Sequence, residues 1–159
     1  MKPLLGFILG MLLFMGCKES VDCEREIYLV PEGFRGKIIV FFDQQDGQEK
    51  QFENEARLYR IPPSGYLKSQ FAKNVGCMGD NRIQFYYEQS NGERQPLDYF
   101  LNIDRDSIPK EKDYVMFTFL SDKSAKPDFV IHCIGELREF NELTQSVRYL
   151  KPVEILDSL

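Results

Sequence analysis

Apolar residues cluster in short runs along the chain, and two of these runs flank a tight turn. Residues 27–30 and 37–43 are rich in β-branched and aromatic side chains, and residues 31–36 between them contain a proline and two glycines. Runs of this composition bounded by turn residues are typical of β-strands. In residues 38–42 both alternating sets of positions are apolar, so we expect both faces of this strand to be covered. The second run is therefore predicted to lie centrally in a sheet.

Six further runs of the same character follow. They span residues 57–61, 66–71, 82–88, 94–97, 114–120 and 129–134. Asn91 and Gly92 predict a hairpin between the third and fourth of these runs, and Pro96 predicts an edge strand, because proline cannot donate to a ladder. Strict alternation in residues 114–120 predicts that Val115 and Phe119 face the same way.

The period of the pattern changes near residue 136. From there apolar residues recur at helical spacing, at Leu137, Phe140, Leu143, Val147 and Leu150. This spacing predicts an amphipathic helix over residues 136–150, with its apolar face on the sheet and its end before Pro152.

Seven or eight short strands followed by one helix predict a mainly β fold. We expect an antiparallel β-sandwich, transthyretin-like or immunoglobulin-like, with a C-terminal α-helix; an open α+β sheet is the alternative. A chain of 159 residues has the length of a single domain, which we expect to span residues 26–159.

The N-terminal segment has a different composition. Lys2 is followed by an apolar run over residues 4–15, which is too short to span a bilayer, since a spanning helix takes about 20 residues, but is typical of an export signal. The end of the run, Leu13-Phe14-Met15-Gly16-Cys17, resembles the lipobox of bacterial lipoproteins, although Phe14 stands where leucine is usual. In that motif the cysteine receives fatty acyl chains such as palmitate and becomes the first residue of the mature protein.

The lipobox resemblance implies a signal peptide over residues 1–16, a lipidated linker over 17–25 and lipidation at Cys17. Lys18-Glu19-Ser20, directly after Cys17, contains no aspartate, which resembles sorting to the outer membrane, facing the periplasm or the cell surface. Several acyl chains on one cysteine give stable anchoring where a single chain is marginal. A secretory peptide cut elsewhere and an uncleaved anchor are the alternatives.

Charge and motif content narrow the functional classes. The formal net charge is −5 and the chain has no basic run, which argues against nucleic acid and against electrostatic binding to anionic lipid. The sequence contains no metal-binding motif, nucleotide-binding loop or nucleophile elbow, so we assign no cofactor, no metal ligand and no catalytic residue. The acidic turn containing Asp43, Asp46 and Glu49 is interpreted as solvated.

The cysteines are the remaining chemical feature. If Cys17 is lipidated, three cysteines are left in an oxidising compartment, which predicts one disulfide and one free thiol. Cys133 shares a strand face with Phe129 and Ile131, and the favoured pairings are Cys77–Cys133 and Cys23–Cys133. The Cys23–Cys77 pairing and the absence of any disulfide remain alternatives.

His132, the single histidine, lies next to Cys133 but on the other face of the same strand. Adjacent strand residues point in opposite directions, so these two side chains cannot form a catalytic pair. His132 is interpreted as a partly buried strand residue. A set of aromatic residues, Tyr66, Tyr86, Tyr87, Tyr99 and Phe100, is a candidate stacking surface for a glycan or a peptide, or cross-strand packing.

Residues 28–36, 46–47 and 59–68 resemble an uncharacterised family of small lipoproteins common in Bacteroides-type bacteria, in which a Pro-Glu-Gly-Phe-x-Gly segment joins two strands. The resemblance implies a fold and transfers no activity. We therefore predict a membrane-anchored envelope lipoprotein that acts as a non-enzymatic binding or structural module, with an envelope protein or a glycan as partner. The alternative is an exported hydrolase or thiol-dependent enzyme that uses Cys77 or His132.

Overall fold

A computed structural model describes residues 23–75, 82–99, 109–122, 124 and 126–159. These residues form nine strands, a short 3-10 helix and two α-helices. In chain order the elements are β1 (Arg25–Pro31), β2 (Gly36–Phe41), β3 (Gln51–Glu53), β4 (Ala56–Arg60), β5 (Tyr66–Lys68), β6 (Ile83–Glu88), β7 (Arg94–Tyr99), β8 (Asp113–Leu120), β9 (Phe129–Glu136), the 3-10 helix (Leu137–Glu139), α1 (Phe140–Val147) and α2 (Pro152–Asp157).

The strands form one curled sheet in the order β3-β4-β1-β6-β7-β8-β9-β2-β5. β1 runs parallel to both β4 and β6, whereas β2 runs parallel to β5 and antiparallel to β9. The prediction of an antiparallel sheet is therefore wrong, while the mainly β class and the C-terminal helix are confirmed. The physical reason is that β1 and β2 do not pair with each other, because the turn between them carries the chain from one half of the sheet to the other.

The inward faces of the two halves share one core. Tyr28 of β1 stacks between Tyr59 and Phe85, with ring centroids 4.8 and 4.6 Å away, and meets the ring of His132 edge-on at 4.8 Å. Since His132 belongs to β9, this contact joins one half of the sheet to the other. β2 is buried on both faces, as its apolar pattern predicts.

Gln48 links β4, next to one edge of the curled sheet, to the segment beside β5 at the other edge. Its backbone N–H donates to the Lys68 carbonyl beside β5 at 2.8 Å, and its carbonyl accepts from the Gln70 N–H at 3.0 Å. Its side-chain amide donates to the Leu58 carbonyl of β4 at 2.9 Å and accepts from the Arg60 N–H at 3.0 Å. A single residue therefore spans the gap between β4 and β5.

β7 lies between β6 and β8, so the prediction of an edge strand is wrong for the element as a whole. Its pairing with β8, however, is restricted to Asp98 and Tyr99. Pro96 lies outside this short ladder. It pairs only with β6, where it lies opposite Tyr86. Proline thus occupies a position with local edge character, where its missing N–H is tolerated.

The predicted helix over residues 136–150 appears as the 3-10 helix followed by α1. Pro152 follows a short break and begins α2, because its fixed φ and missing N–H suit the first turn of a helix. Gly135 lets the helical segment lie close to β9, since a Cβ atom there would come 2.6 Å from the Glu139 carboxylate and 3.1 Å from Leu143. None of the helices in the described ranges is long and apolar enough to cross a membrane.

Candidate functional site

A pocket of about 470 Å³ lies between the C-terminal helices and the outer face of β8 and β9. A volume of this size is within the range of small-molecule sites. Most of the lining is apolar and comes from Phe119, Phe129, Ile131, Val147, Leu150 and Pro152. Two polar residues, Thr144 and Arg148, complete it. The pocket therefore suits a ligand with an apolar body.

The floor of the pocket depends on an irregularity in β8. The register of β8 against β9 shifts between Val115 and Phe117. Val115 lies in the inner core, whereas Phe119 lies on the outer face, stacked on Phe129 with ring centroids 6.0 Å apart. The prediction that Val115 and Phe119 share a face is wrong, because one extra residue in a bulged strand reverses the direction of the side chains that follow.

The polar groups of the pocket lie on α1 and directly after it. The Thr144 hydroxyl donates to the Phe140 carbonyl at 2.7 Å, which uses its proton and leaves its oxygen able to accept. The Arg148 side chain is exposed and, within the described part of the chain, forms no ion pair. Arg148 therefore offers an uncompensated positive charge beside an apolar pocket.

Glu26 is the centre of a buried polar cluster at the start of β1. Its carboxylate accepts from the Tyr28 hydroxyl at 3.0 Å, from the Asn74 amide at 3.1 Å and from the Tyr59 hydroxyl at 3.4 Å. Burial raises the pKa of the Glu26 carboxyl, because the desolvation effect exceeds the lowering effect of these hydrogen bonds and of the nearby Arg57 guanidinium. The cluster ties β1 to β4 and to residue 74.

His132 and Cys133 do not form a reactive pair. The His132 ring is fully buried against Tyr28 and Phe85, and burial lowers the pKa of His132 to about 3, so the imidazole is neutral at neutral pH. Cys133 points to the opposite face of β9. Burial raises the pKa of the Cys133 thiol to about 11, so it carries almost no thiolate. His132 is more deeply buried than the sequence analysis predicts.

The cysteine pairings favoured from the sequence are wrong. Cys133 is a buried free thiol, whereas Cys23 is disulfide-bonded. Neither Cys77–Cys133 nor Cys23–Cys133 is therefore formed. The physical reason is that Cys133 lies in β9 between β8 and β2, while Cys23 precedes β1, whose neighbours are β4 and β6. Cys17 and Cys77 lie outside the described residues.

The tyrosines proposed as a stacking surface belong to separate clusters. Tyr87 lies in the inner core with Tyr99 packed against it, Tyr86 packs on a small cluster of β1 and β4, and Tyr66 packs below the C-terminal helices. Phe100 lies outside the described residues. The described tyrosines therefore serve packing rather than a common stacking platform.

The acidic turn after β2 is held by a lysine. The Asp46 carboxylate pairs with the Lys68 ammonium at 3.0 Å, with the Asp46 side chain largely in solvent. In the part of the chain that the structure describes, no three His, Cys, Asp or Glu residues are grouped so that they could hold a metal ion.

The end of the domain that carries the β1–β2 turn is charged. Arg35 pairs with the Asp113 carboxylate at 2.9 Å and with Glu136 at 2.7 Å. Tyr87 donates a hydrogen bond to the same Asp113 carboxylate at 3.0 Å. These contacts hold the turn against the start of β8 and the end of β9.

The model of a family of unknown function, DUF6843, matches residues 22–125. The chain belongs to this family. The match confirms that the chain belongs to an uncharacterised family, and it includes residues 28–36, 46–47 and 59–68, on which the resemblance rests. It spans β1 to β8, so the pocket floor contributed by Phe119 is inside the match, whereas β9 and the helices above the pocket lie beyond it.

No curated protein matches the chain. Among solved structures, the chain is similar to the 2.75 Å crystal structure of a "Putative Lipoprotein from Bacillus anthracis", with a TM-score of 0.47 and 17% sequence identity, over 72% of this chain and 70% of that chain.

Proposed function

We propose that the protein is an envelope lipoprotein, acylated at Cys17 and held at the outer membrane, whose folded part over residues 26–159 is a non-enzymatic binding module. The apolar run over residues 4–15 and the lipobox-like residues that end at Cys17 support export and acylation. The net charge of −5 gives the folded part no general attraction to an anionic membrane, so the acyl chains supply the attachment.

The disulfide at Cys23 is the observation that carries the assignment to the envelope. Disulfides persist in oxidising compartments such as the periplasm and the cell surface and are rare in the cytosol. The bonded cysteine lies six positions after Cys17, so the oxidising environment applies to the part of the chain next to the anchor.

Acylation also identifies the disulfide partner. Since Cys133 is free, the partner of Cys23 is Cys17 or Cys77. In a lipidated Cys17 the sulfur is a thioether bonded to two carbon atoms. It has no thiol left to oxidise, so it cannot form a disulfide. We therefore pair Cys23 with Cys77.

The same pairing argues against the enzyme alternative. That alternative assigns the chemistry to Cys77 or His132. A disulfide-bonded Cys77 has no thiolate, and the His132 ring is neutral and enclosed by the core. Within the described residues, a ligand or partner can therefore be bound by the pocket above β8 and β9 or by the exposed surface.

The pocket above β8 and β9 is the binding site in this proposal. Its apolar lining and the uncompensated Arg148 charge fit one ligand class, a single-chain amphiphile with an anionic head group, such as a fatty acid. The apolar chain would lie against Phe129 and Ile131, and the head group would lie beside Arg148 and accept a charge-assisted hydrogen bond.

Anchoring is tested by Cys17→Ala in cells labelled with a radioactive or clickable fatty acid. We expect loss of lipid labelling and retention of the signal peptide, with Cys133→Ala as the matched control that keeps both labelling and processing. Unchanged labelling of the Cys17→Ala protein would refute the anchor.

Ligand binding is tested with a fluorescent polyene fatty acid and its uncharged methyl ester. We expect Arg148→Gln to weaken binding of the acid about 3- to 10-fold and to leave the ester unaffected, because the variant removes a partly exposed charge pair. Lys50→Gln, an exposed cation away from the pocket, is the control. Equal effects on acid and ester, or no binding of either, would count against the ligand class.

A further inference from the structure

Cys23, the first described residue, lies at one end of the domain. Asn74 donates to the carbonyl oxygen of Glu24 at 2.7 Å. The preceding residue, Lys73, donates to the Ser121 hydroxyl at 3.0 Å and pairs with Asp128 at 3.3 Å. Adjacent Cα atoms are about 3.8 Å apart, so Cys23 and the β8–β9 connection lie at the same end. We call this the anchored end and define it by residues 23–24, 71–75, 119–122 and 128–129.

Three large apolar side chains are exposed at the anchored end. Phe119 is 43% exposed and lies two residues before Ser121, and Val75 is 42% exposed and lies at the limit of the 71–75 segment. Phe52 is 55% exposed and its ring packs against Phe71 of the same segment, with ring centroids 5.2 Å apart. Exposed apolar side chains that are grouped in one region mark contact with a partner or a membrane, whereas single ones are ordinary.

The opposite end has a different character. It carries the ion pairs of Arg35 with Asp113 and Glu136, together with the exposed Glu32. Among the described residues, the other exposed large apolar side chains belong to the C-terminal helical segment, and none belongs to the β1–β2 turn. Between these two ends, the described exposed large apolar side chains therefore lie at the anchored end.

The length of the tether fixes which end meets the bilayer. Five residues separate Cys17 from Cys23, so an extended chain spans at most about 20 Å between them. A domain of this length is roughly 35 Å across, from the usual relation between chain length and radius of gyration. The tether is shorter than the domain, so the domain cannot turn its opposite end to the membrane.

We propose that the anchored end lies against the lipid bilayer, with Phe52, Val75 and Phe119 in contact with the head-group region. This orientation rests on the proposed acylation of Cys17. Each of these side chains removes apolar surface from water when it enters the interface, and together they stabilise one orientation of the domain among those that a short tether allows.

The absence of tryptophan from the sequence makes this orientation directly measurable. Phe52→Trp and Phe119→Trp each introduce a single fluorophore at the anchored end, and Glu32→Trp introduces one at the opposite end as the matched control. The full acylated protein is reconstituted into phosphatidylcholine vesicles with brominated acyl chains, which quench tryptophan at contact distance, and into unbrominated vesicles as reference. Flotation on a density gradient reports anchoring separately.

We expect all three variants to float, with Phe52→Trp and Phe119→Trp fluorescence quenched at least threefold more than that of Glu32→Trp. Flotation with equal quenching of all three would overturn the orientation and leave the anchor intact. Failure to float would refute the anchor and the orientation together. Two fluorophores at the anchored end guard against the loss of one variant through misfolding, which circular dichroism would detect.

Discussion

The disulfide at Cys23 leads to the most informative prediction, because its partner depends on the chemistry of Cys17. We predict that Cys23→Ser and Cys77→Ser destabilise the protein by the same amount, and that the double variant is no less stable than either single variant. Both changes break one cross-link, so their effects on the free energy of unfolding are not additive. Peptide mapping without reductant should recover Cys23 linked to Cys77.

The expected magnitude follows from the length of chain that the bond closes. A Cys23–Cys77 bond closes a loop of roughly 55 residues, and its loss costs about 4 kcal/mol at 25 °C by the loop-closure relation. A Cys17–Cys23 bond would close roughly 7 residues and contribute only about 2.4 kcal/mol. For a domain of this length, 4 kcal/mol corresponds to a decrease in Tm of roughly 12–16 °C.

The assay is thermal unfolding followed by circular dichroism, with and without reductant. Reductant should lower the Tm of the natural protein to that of Cys23→Ser and leave Cys23→Ser unchanged. Cys133→Ala, which removes the buried free thiol, should keep the full response to reductant. If Cys77→Ser leaves the Tm and the peptide map unchanged, Cys17 is the partner, and both the pairing and the acylation of Cys17 are refuted.

Two further predictions concern buried polar groups. Burial raises the native pKa of Glu26 above its ordinary 4.5, so the stability that its protonation contributes is complete below pH 4.5 and is lost as the pH rises through the native pKa. The Gln side chain of Glu26→Gln does not titrate, so this variant is the reference. Relative to it, the free energy of unfolding of the natural protein should fall by up to about 1.4 kcal/mol per pH unit in that window, measured by urea unfolding between pH 4 and 8. A difference in the free energy of unfolding that stays constant over this range would contradict the raised pKa. Gln48→Met keeps the shape of the side chain but removes its hydrogen bonds to the Leu58 carbonyl and the Arg60 N–H, which are part-buried and exposed, so it should cost about 0.5–1.5 kcal/mol by the same assay. Lys50→Met, an exposed neighbour, is the control, and an equal cost for both would show that the amide does not close the sheet.

The positions of most strands could be predicted from the sequence, because β-branched and aromatic runs between turn residues are a local property. The strand β3 was not predictable in this way. Gln51–Glu53 is short, polar and largely exposed, and it forms because β4 offers it an edge. Strand direction was also not predictable, since apolar alternation specifies which face is buried and not which strand lies alongside.

The candidate site was less accessible to sequence analysis than the fold. The prediction that Phe119 shares a face with Val115 is wrong because no composition signal marks the bulge in β8. The cysteine pairing failed for a related reason, since Cys133 is separated from Cys23 by the order of the strands rather than by distance along the chain. The helical spacing after residue 136 did indicate the apolar roof of the pocket, because that pattern is local.

Under the lipid anchoring proposed above, Gln48 also affects how neighbouring copies of the protein meet. Anchored molecules are confined to two dimensions, so neighbouring copies meet often and in similar orientations. A curled sheet with unpaired edges would offer each neighbour a row of backbone groups for strand addition. Gln48 lies between β4 and β5. Its backbone bonds to the segment beside β5 and its side-chain amide bonds to β4. Under the proposed anchoring, this bridge would leave less unpaired backbone between β4 and β5 to which a neighbouring copy could add a strand.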